Sequence, residues 1–151
     1  MAGASHCCKR QKSIAARIHK VEIFDGMPET IKQLHSDGYK IFILSSNSVE
    51  AIRDVLKKYD LDEYVMRIYS GATLFGKAKR LNSFFKKEHL SKEQCVYIGD
   101  EVRDIEATKQ VGLKCIAVEW GYSAPAKLKM YKPEAMASSP KLISTAIKSL
   151  V

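Results

Sequence analysis

Apolar residues recur along this chain in two rhythms, short continuous runs and helical repeats, and the two alternate. Tyr39 to Leu44 is nearly all apolar and follows Gly38, as expected of a strand covered on both faces. Val49, Ile52, Val55 and Leu56 then repeat at helical spacing. Tyr64 to Tyr69 reads as a weaker strand. A helix from Lys77 sets Ala78, Leu81, Phe84 and Phe85 on one side. Cys95–Ile98 is the next strand. Ile105, Thr108 and Val111 mark a helix that stops at Gly112, Lys114 to Val118 is a further buried strand, and an amphipathic helix spans about Pro140 to Leu150. Upstream, Ser13 to Ile18 suggests a short helix and Val21–Phe24 an apolar run. Pro28 suits the first turn of a helix that carries Ile31 and Leu34 and ends at Gly38.

Strands alternating with helices predict an α/β domain with a doubly wound, Rossmann-like parallel sheet. Its ligand is expected off the carboxyl ends of the strands. Residues 1–12 read as a disordered basic tail and 13–151 as a single core domain, a reasonable size for 151 residues. The net charge of +8 changes this little. Five of the basic residues are Lys9, Arg10, Lys12, Arg17 and Lys20, in an acid-free start, and no aromatic-interleaved basic stripe follows, so no nucleic-acid partner is expected. No stretch has the apolar length to span a bilayer, so no membrane role is expected either. Cys7, Cys8, Cys95 and Cys115 have no zinc spacing. They fit a reducing, cytoplasmic setting.

The chemistry sits where strands end. Val96 to Asp104 reads Val-Tyr-Ile-Gly-Asp-Glu-Val-Arg-Asp. Asp100 is delivered at the carboxyl end of a buried strand, after a Gly99 that eases the turn. Asp104 follows about one helical turn on, so both acids can face one point. Such a pair suits a hard cation that keeps waters and bridges to a phosphate; a plain helix cap is the blander account. Ser45-Ser46-Asn47-Ser48 ends the Ile41–Leu44 run with hydroxyls and amides fit to grip phosphate oxygens, or simply to cap a helix. Lys77, after Gly76, lies in a first helical turn, where the helix dipole disfavours a cation unless the ammonium reaches a phosphate. Lys79 is the fallback. Trp120-Gly121-Tyr122 follows the last strand, where it could border the site, but the single Trp is expected to anchor a core edge.

In chain order these are Ser, Lys and Gly-Asp-x-x-x-Asp. That order resembles motifs II, III and IV of the haloacid dehalogenase (HAD) superfamily, over most of residues 21–125. Gly38-Tyr39-Lys40, Gly76-Lys77-Ala78 and Tyr97-Ile98-Gly99-Asp100-Glu101 through Asp104-Ile105-Glu106-Ala107 look like its phosphoglycolate-phosphatase-like members. The resemblance implies Mg²⁺-dependent hydrolysis of a phosphomonoester through an aspartyl-phosphate. Ser45, Ser46 and Asn47 would bind the phosphate and Lys77 would neutralise it. Asp100 would hold Mg²⁺, and Asp104 would complete the metal cluster or orient Lys77.

The family's first motif, Asp-x-Asp-Gly-Thr on a central strand, has no counterpart upstream of Ser45. Phe24-Asp25-Gly26-Met27-Pro28 is the nearest text, with Met27 in the general acid's place. The expectation is a HAD core lacking the nucleophile strand and most of the cap, weakly active or inactive alone. A gap or a re-paired sheet would be left behind. In a second account Val21–Phe24 fills the vacancy and Asp25 becomes a substitute nucleophile. The expected partner is a small phosphorylated metabolite, together with a separate polypeptide that supplies the first motif. The alternative function is a non-catalytic phosphate- or partner-binding module.

Overall fold

The computed structural model describes residues 22–71 and 76–150. The basic tail and the Ser13–Ile18 helix expected from the sequence lie outside them. The described residues form two compact units, divided between Ala72 and Thr73, each built on its own parallel sheet.

The first unit begins irregularly. Glu22–Phe24 form no strand; the Ile23 N–H donates to the Tyr59 hydroxyl at 3.3 Å. The expected apolar run is cut short by a turn at Asp25-Gly26, in which the Met27 N–H donates to the Phe24 carbonyl. Helix α1 (Met27–Ser36) follows. Gly26 precedes it with φ 85°, a conformation that L side chains resist, and proline stands in its first turn. Strand β1 (Ile41–Ser45), helix α2 (Val49–Lys58) and strand β2 (Val65–Ser70) complete the unit. The strands pair in parallel from Ile41↔Val65 to Ser45↔Ser70, with an irregularity between Ile41 and Phe42. Although β1 is apolar up to Ser45, every one of its residues is only half-buried.

In the second unit the order is α3 (Lys77–Glu88), β3 (Val96–Gly99), α4 (Val102–Val111), β4 (Lys114–Val118), α5 (Pro125–Met130), β5 (Ala135–Ala137) and α6 (Leu142–Lys148). The sheet order is β3-β4-β5, all parallel, with β3 paired from Val96↔Lys114 to Gly99↔Ala117. Strand β4 is central, and Cys115, Ile116 and Ala117 are wholly buried. With Ile105 and Leu128, Cys115 and Ala117 form a core cluster against which Tyr97, Val102, Tyr131 and Met136 pack.

Helix α5 is far too short to persist alone. Leu128, fully buried, ties it down with about 2 kcal/mol of burial. Strand β5 pairs with β4 only from Ile116↔Ala135 onward. One residue earlier, the Cys115 N–H finds its acceptor in the Glu134 carboxylate at 2.7 Å, so a side chain completes the ladder. Among the described residues, no helix is long and apolar enough to cross a membrane.

Candidate active site

The predicted site residues divide between the two units. Asp25, Ser45, Ser46 and Asn47 lie in the first; Lys77, Asp100 and Asp104 lie in the second.

In the first unit the end of β1 is organised as a helix entry. The Asn47 N–H donates to Ser45 Oγ at 3.1 Å, and the Ala51 N–H donates to Ser48 Oγ at 3.2 Å, which makes Ser48 the cap of α2. Ser70, at the end of β2, donates its hydroxyl to the Asn47 carbonyl at 2.8 Å. Ser46 and Asn47 are exposed. Asp25 is exposed in the turn before α1, not at a strand end.

The second unit holds a tighter construction. Glu101 caps α4, and Asp104, three residues on, closes a reciprocal capping box with it. The Glu101 N–H donates to Asp104 Oδ2 at 3.0 Å. The Lys77 ammonium and the Tyr97 hydroxyl both donate to Asp104 Oδ1, the latter at 3.1 Å. Asp104 is 3 % exposed, so this buried carboxylate meets one cation and two neutral donors, the company such a group requires. The Lys77 side chain is 36 % exposed. Its place at the start of α3, disfavoured by the helix dipole, is offset by the bond to Asp104. Burial, with the negative charge of Asp104 beside it, pushes the Tyr97 phenol far above its usual range, and the residue stays a neutral donor.

Gly99 is needed here for closeness rather than for the turn. A Cβ at this position would stand 2.5–2.7 Å from the Asp104 carboxylate and its Cβ. Gly121 plays the matching part for the other acid, since a Cβ there would fall 2.0–2.6 Å from the Asp100 side chain. The loop after β4 closes on Asp100 through its backbone. The Tyr122 N–H donates to Asp100 Oδ2 at 2.7 Å, and the Ser123 N–H to the Asp100 carbonyl at 3.0 Å.

The two carboxylates therefore differ in kind. Both oxygens of Asp104 are taken by protein donors. Asp100, half-buried, has one oxygen oriented by an amide, which leaves Oδ1 fit for a hard cation that keeps most of its water. Among the described residues, no group of three His, Cys, Asp or Glu side chains is placed to enclose a metal. A magnesium ion held by one carboxylate, water and a phosphate is compatible with that donor set; a fully protein-caged ion is not.

Sequence reasoning missed Tyr97 as a partner of Asp104; of the roles open to Trp120-Gly121-Tyr122, the structure sets the Gly121–Tyr122 backbone against Asp100. The signal for Tyr97 was a hydroxyl two residues before Gly99 on a buried strand, where it must find a partner.

A lysine at a helix start is thus bonded to a buried acid, and a second acid stands at the neighbouring strand end. The family model described as "Haloacid dehalogenase-like hydrolase" matches residues 5–118, and the chain belongs to that family. It is 28 % identical over 141 residues to a phosphoglycolate phosphatase of Synechococcus elongatus, a match covering 93 % of this chain and 66 % of the relative. Over 128 residues it is 25 % identical to a 5'-nucleotidase of Pseudomonas aeruginosa, covering 82 % and 58 %. A haloacid dehalogenase-like hydrolase of Streptococcus pneumoniae shares the fold, with a TM-score of 0.80 at 22 % identity over 91 % of this chain and 66 % of its own. The chain thus spans about two thirds or less of the length of these relatives.

Proposed function

We propose that this chain carries the phosphate- and magnesium-handling end of a HAD-type phosphomonoester hydrolase whose substrate is a small phosphorylated metabolite. The observation that carries the reading is the convergence of Lys77 and Tyr97 on buried Asp104, at the same strand end that presents Asp100. Phosphatase and nucleotidase relatives support it.

Asp104 holds the Lys77 ammonium in place, so that positive charge is fixed before the phosphate arrives and costs little reorganisation. In the first unit, Ser45, Ser46 and Asn47 are the polar residues of a type suited to phosphoryl oxygens. Asp100 would hold Mg²⁺, and the Tyr122 N–H keeps its carboxylate turned. Bound there, Mg²⁺ would offset the negative charge of the phosphate. In-line attack needs one more carboxylate, which Asp25 or a separate polypeptide bearing Asp-x-Asp supplies. The free thiols of Cys95 and Cys115 accord with a cytoplasmic setting.

The test is Mg²⁺-dependent hydrolysis of an aryl phosphate by the chain, with Asp25→Asn and Asp100→Asn in parallel and Mg²⁺ affinity measured by calorimetry. Asp100→Asn is expected to weaken Mg²⁺ binding at least about tenfold, since even the loss of a residue that only orients a metal ligand costs that much, with the fold intact. Unchanged affinity would remove Asp100 from the site. Loss of turnover in Asp25→Asn would make Asp25 the nucleophile. Mg²⁺-dependent phosphate binding without turnover would favour the non-catalytic phosphate-binding module instead.

A further inference from the structure

Tyr97 is more than a core tyrosine whose hydroxyl has found an acceptor. Its ring packs against the cluster of Ile105, Cys115, Ala117 and Leu128, in the middle of β3, and is held there by the best-buried part of the unit. Its hydroxyl reaches the one carboxylate oxygen that also receives the Lys77 ammonium. The Lys77 nitrogen lies 6.0 Å from the centroid of the same ring, within the range of a cation–π attraction. One side chain therefore touches both members of the ion pair, its oxygen on the acid and its π face toward the base.

We infer that Tyr97 is a positioning residue for Lys77: it fixes the Asp104 carboxylate from the core side and so sets where the ammonium stands. This rests on the phosphate-binding role proposed for Lys77 but is separable from it. Without the hydroxyl, Asp104 keeps only the Glu101 amide and Lys77 itself. Its Oδ1 then follows the half-exposed lysine instead of directing it. Because the phenol resists ionisation, it remains a donor rather than a competing anion next to Asp104.

The test uses Tyr97→Phe, which keeps the ring and deletes the hydroxyl. The first readout needs no ligand: the ¹⁵N resonance of the Lys77 ammonium at low temperature, assigned by its loss in Lys77→Met. The ammonium signal is expected to broaden and exchange faster in Tyr97→Phe. An unchanged signal overturns the inference, whether or not the protein binds phosphate. The second readout is a double-mutant cycle on inorganic phosphate binding in the presence of Mg²⁺. Tyr97→Phe is expected to raise Kd about fivefold, the equivalent of one ordinary hydrogen bond, and to have no further effect once Lys77→Met is present. Equal losses in both backgrounds would mark Tyr97 as merely structural and overturn the inference. If no phosphate binds to the parent chain, the functional reading fails and the ammonium signal still decides the role of Tyr97. Should Tyr97→Phe fold poorly, Lys77→Met is read from the other end. It is expected to shift the ¹³Cζ resonance of Tyr97, and no shift would sever the proposed link.

Discussion

The two strand ends expected to grip phosphate are built differently. At the end of β1 the polar groups serve the helix entry and the neighbouring strand, where Ser70 donates to the Asn47 carbonyl. Ser45 accepts from Asn47, Ser48 caps α2, and Ser46 and Asn47 face outward from a strand that is nowhere fully buried. At the end of β3 the polar groups reach across the fold. Asp104 joins α4 to α3 through Lys77 and to β3 through Tyr97, and Asp100 is clasped by the loop after β4. The first end is an exposed helix entry. The second is a buried electrostatic assembly that exists before any ligand binds. The difference teaches that local capping chemistry and a preorganised charge site use similar residues, and that burial and distant partners tell them apart.

Asp104→Ala should sharpen that contrast most. It removes the acceptor of three donors and half of the α4 capping box, and it strands Lys77 at a helix start. A loss of about 3 kcal/mol is expected, at the low end for breaking a buried pair because Lys77 is partly solvated. Urea unfolding measures it, and a cost no larger than that of a surface cap would erase the distinction. Gly99→Ala comes next. The added methyl collides with the Asp104 carboxylate, and overpacking of this kind costs about 1–3 kcal/mol. A neutral result in thermal unfolding would mean that Asp104 has room to move and is not locked. The smallest effect is expected from Ser48→Ala at the first strand end, about 1 kcal/mol for a lost helix cap. A cost above that of Gly99→Ala would show β1 to be the more tightly organised end.

Much of this arrangement was legible before the fold. The continuous apolar run at Lys114–Val118 marked a buried strand, though not its central place, and Gly-Asp-x-x-x-Asp marked two acids about one helical turn apart. What escaped depended on partners distant in sequence. Strand β5 is Ala-Met-Ala, three residues without β-branching that are a strand only because β4 pairs with them. Helix α5 did begin on a proline, but six residues make no helical period, and buried Leu128 is what secures it. The last helix, expected over Pro140 to Leu150, occupies Leu142–Lys148. The apolar stretch at Val21–Phe24 suggested a strand, yet Asp25-Gly26 turns the chain before Phe24 can continue one. At the site, residue types and spacing singled out Asp100, Asp104 and Lys77, and the structure joins Lys77 to Asp104. They were silent on the division of labour between the two acids, because that follows from which donors each carboxylate meets. Tyr97 was hidden by being read as one more apolar residue of a strand.

The contact between Gly121 and Asp100 has an optical consequence. The chain contains a single tryptophan, Trp120, and it immediately precedes the glycine pressed against that carboxylate. Indole emission responds to nearby charge and to small changes in solvent exposure. A cation drawn to Asp100, or a pull on the Tyr122 amide, acts within two residues of the only indole in the molecule. The protein thus carries its own fluorophore at the loop that clasps Asp100, and its intrinsic emission reads that loop without a label.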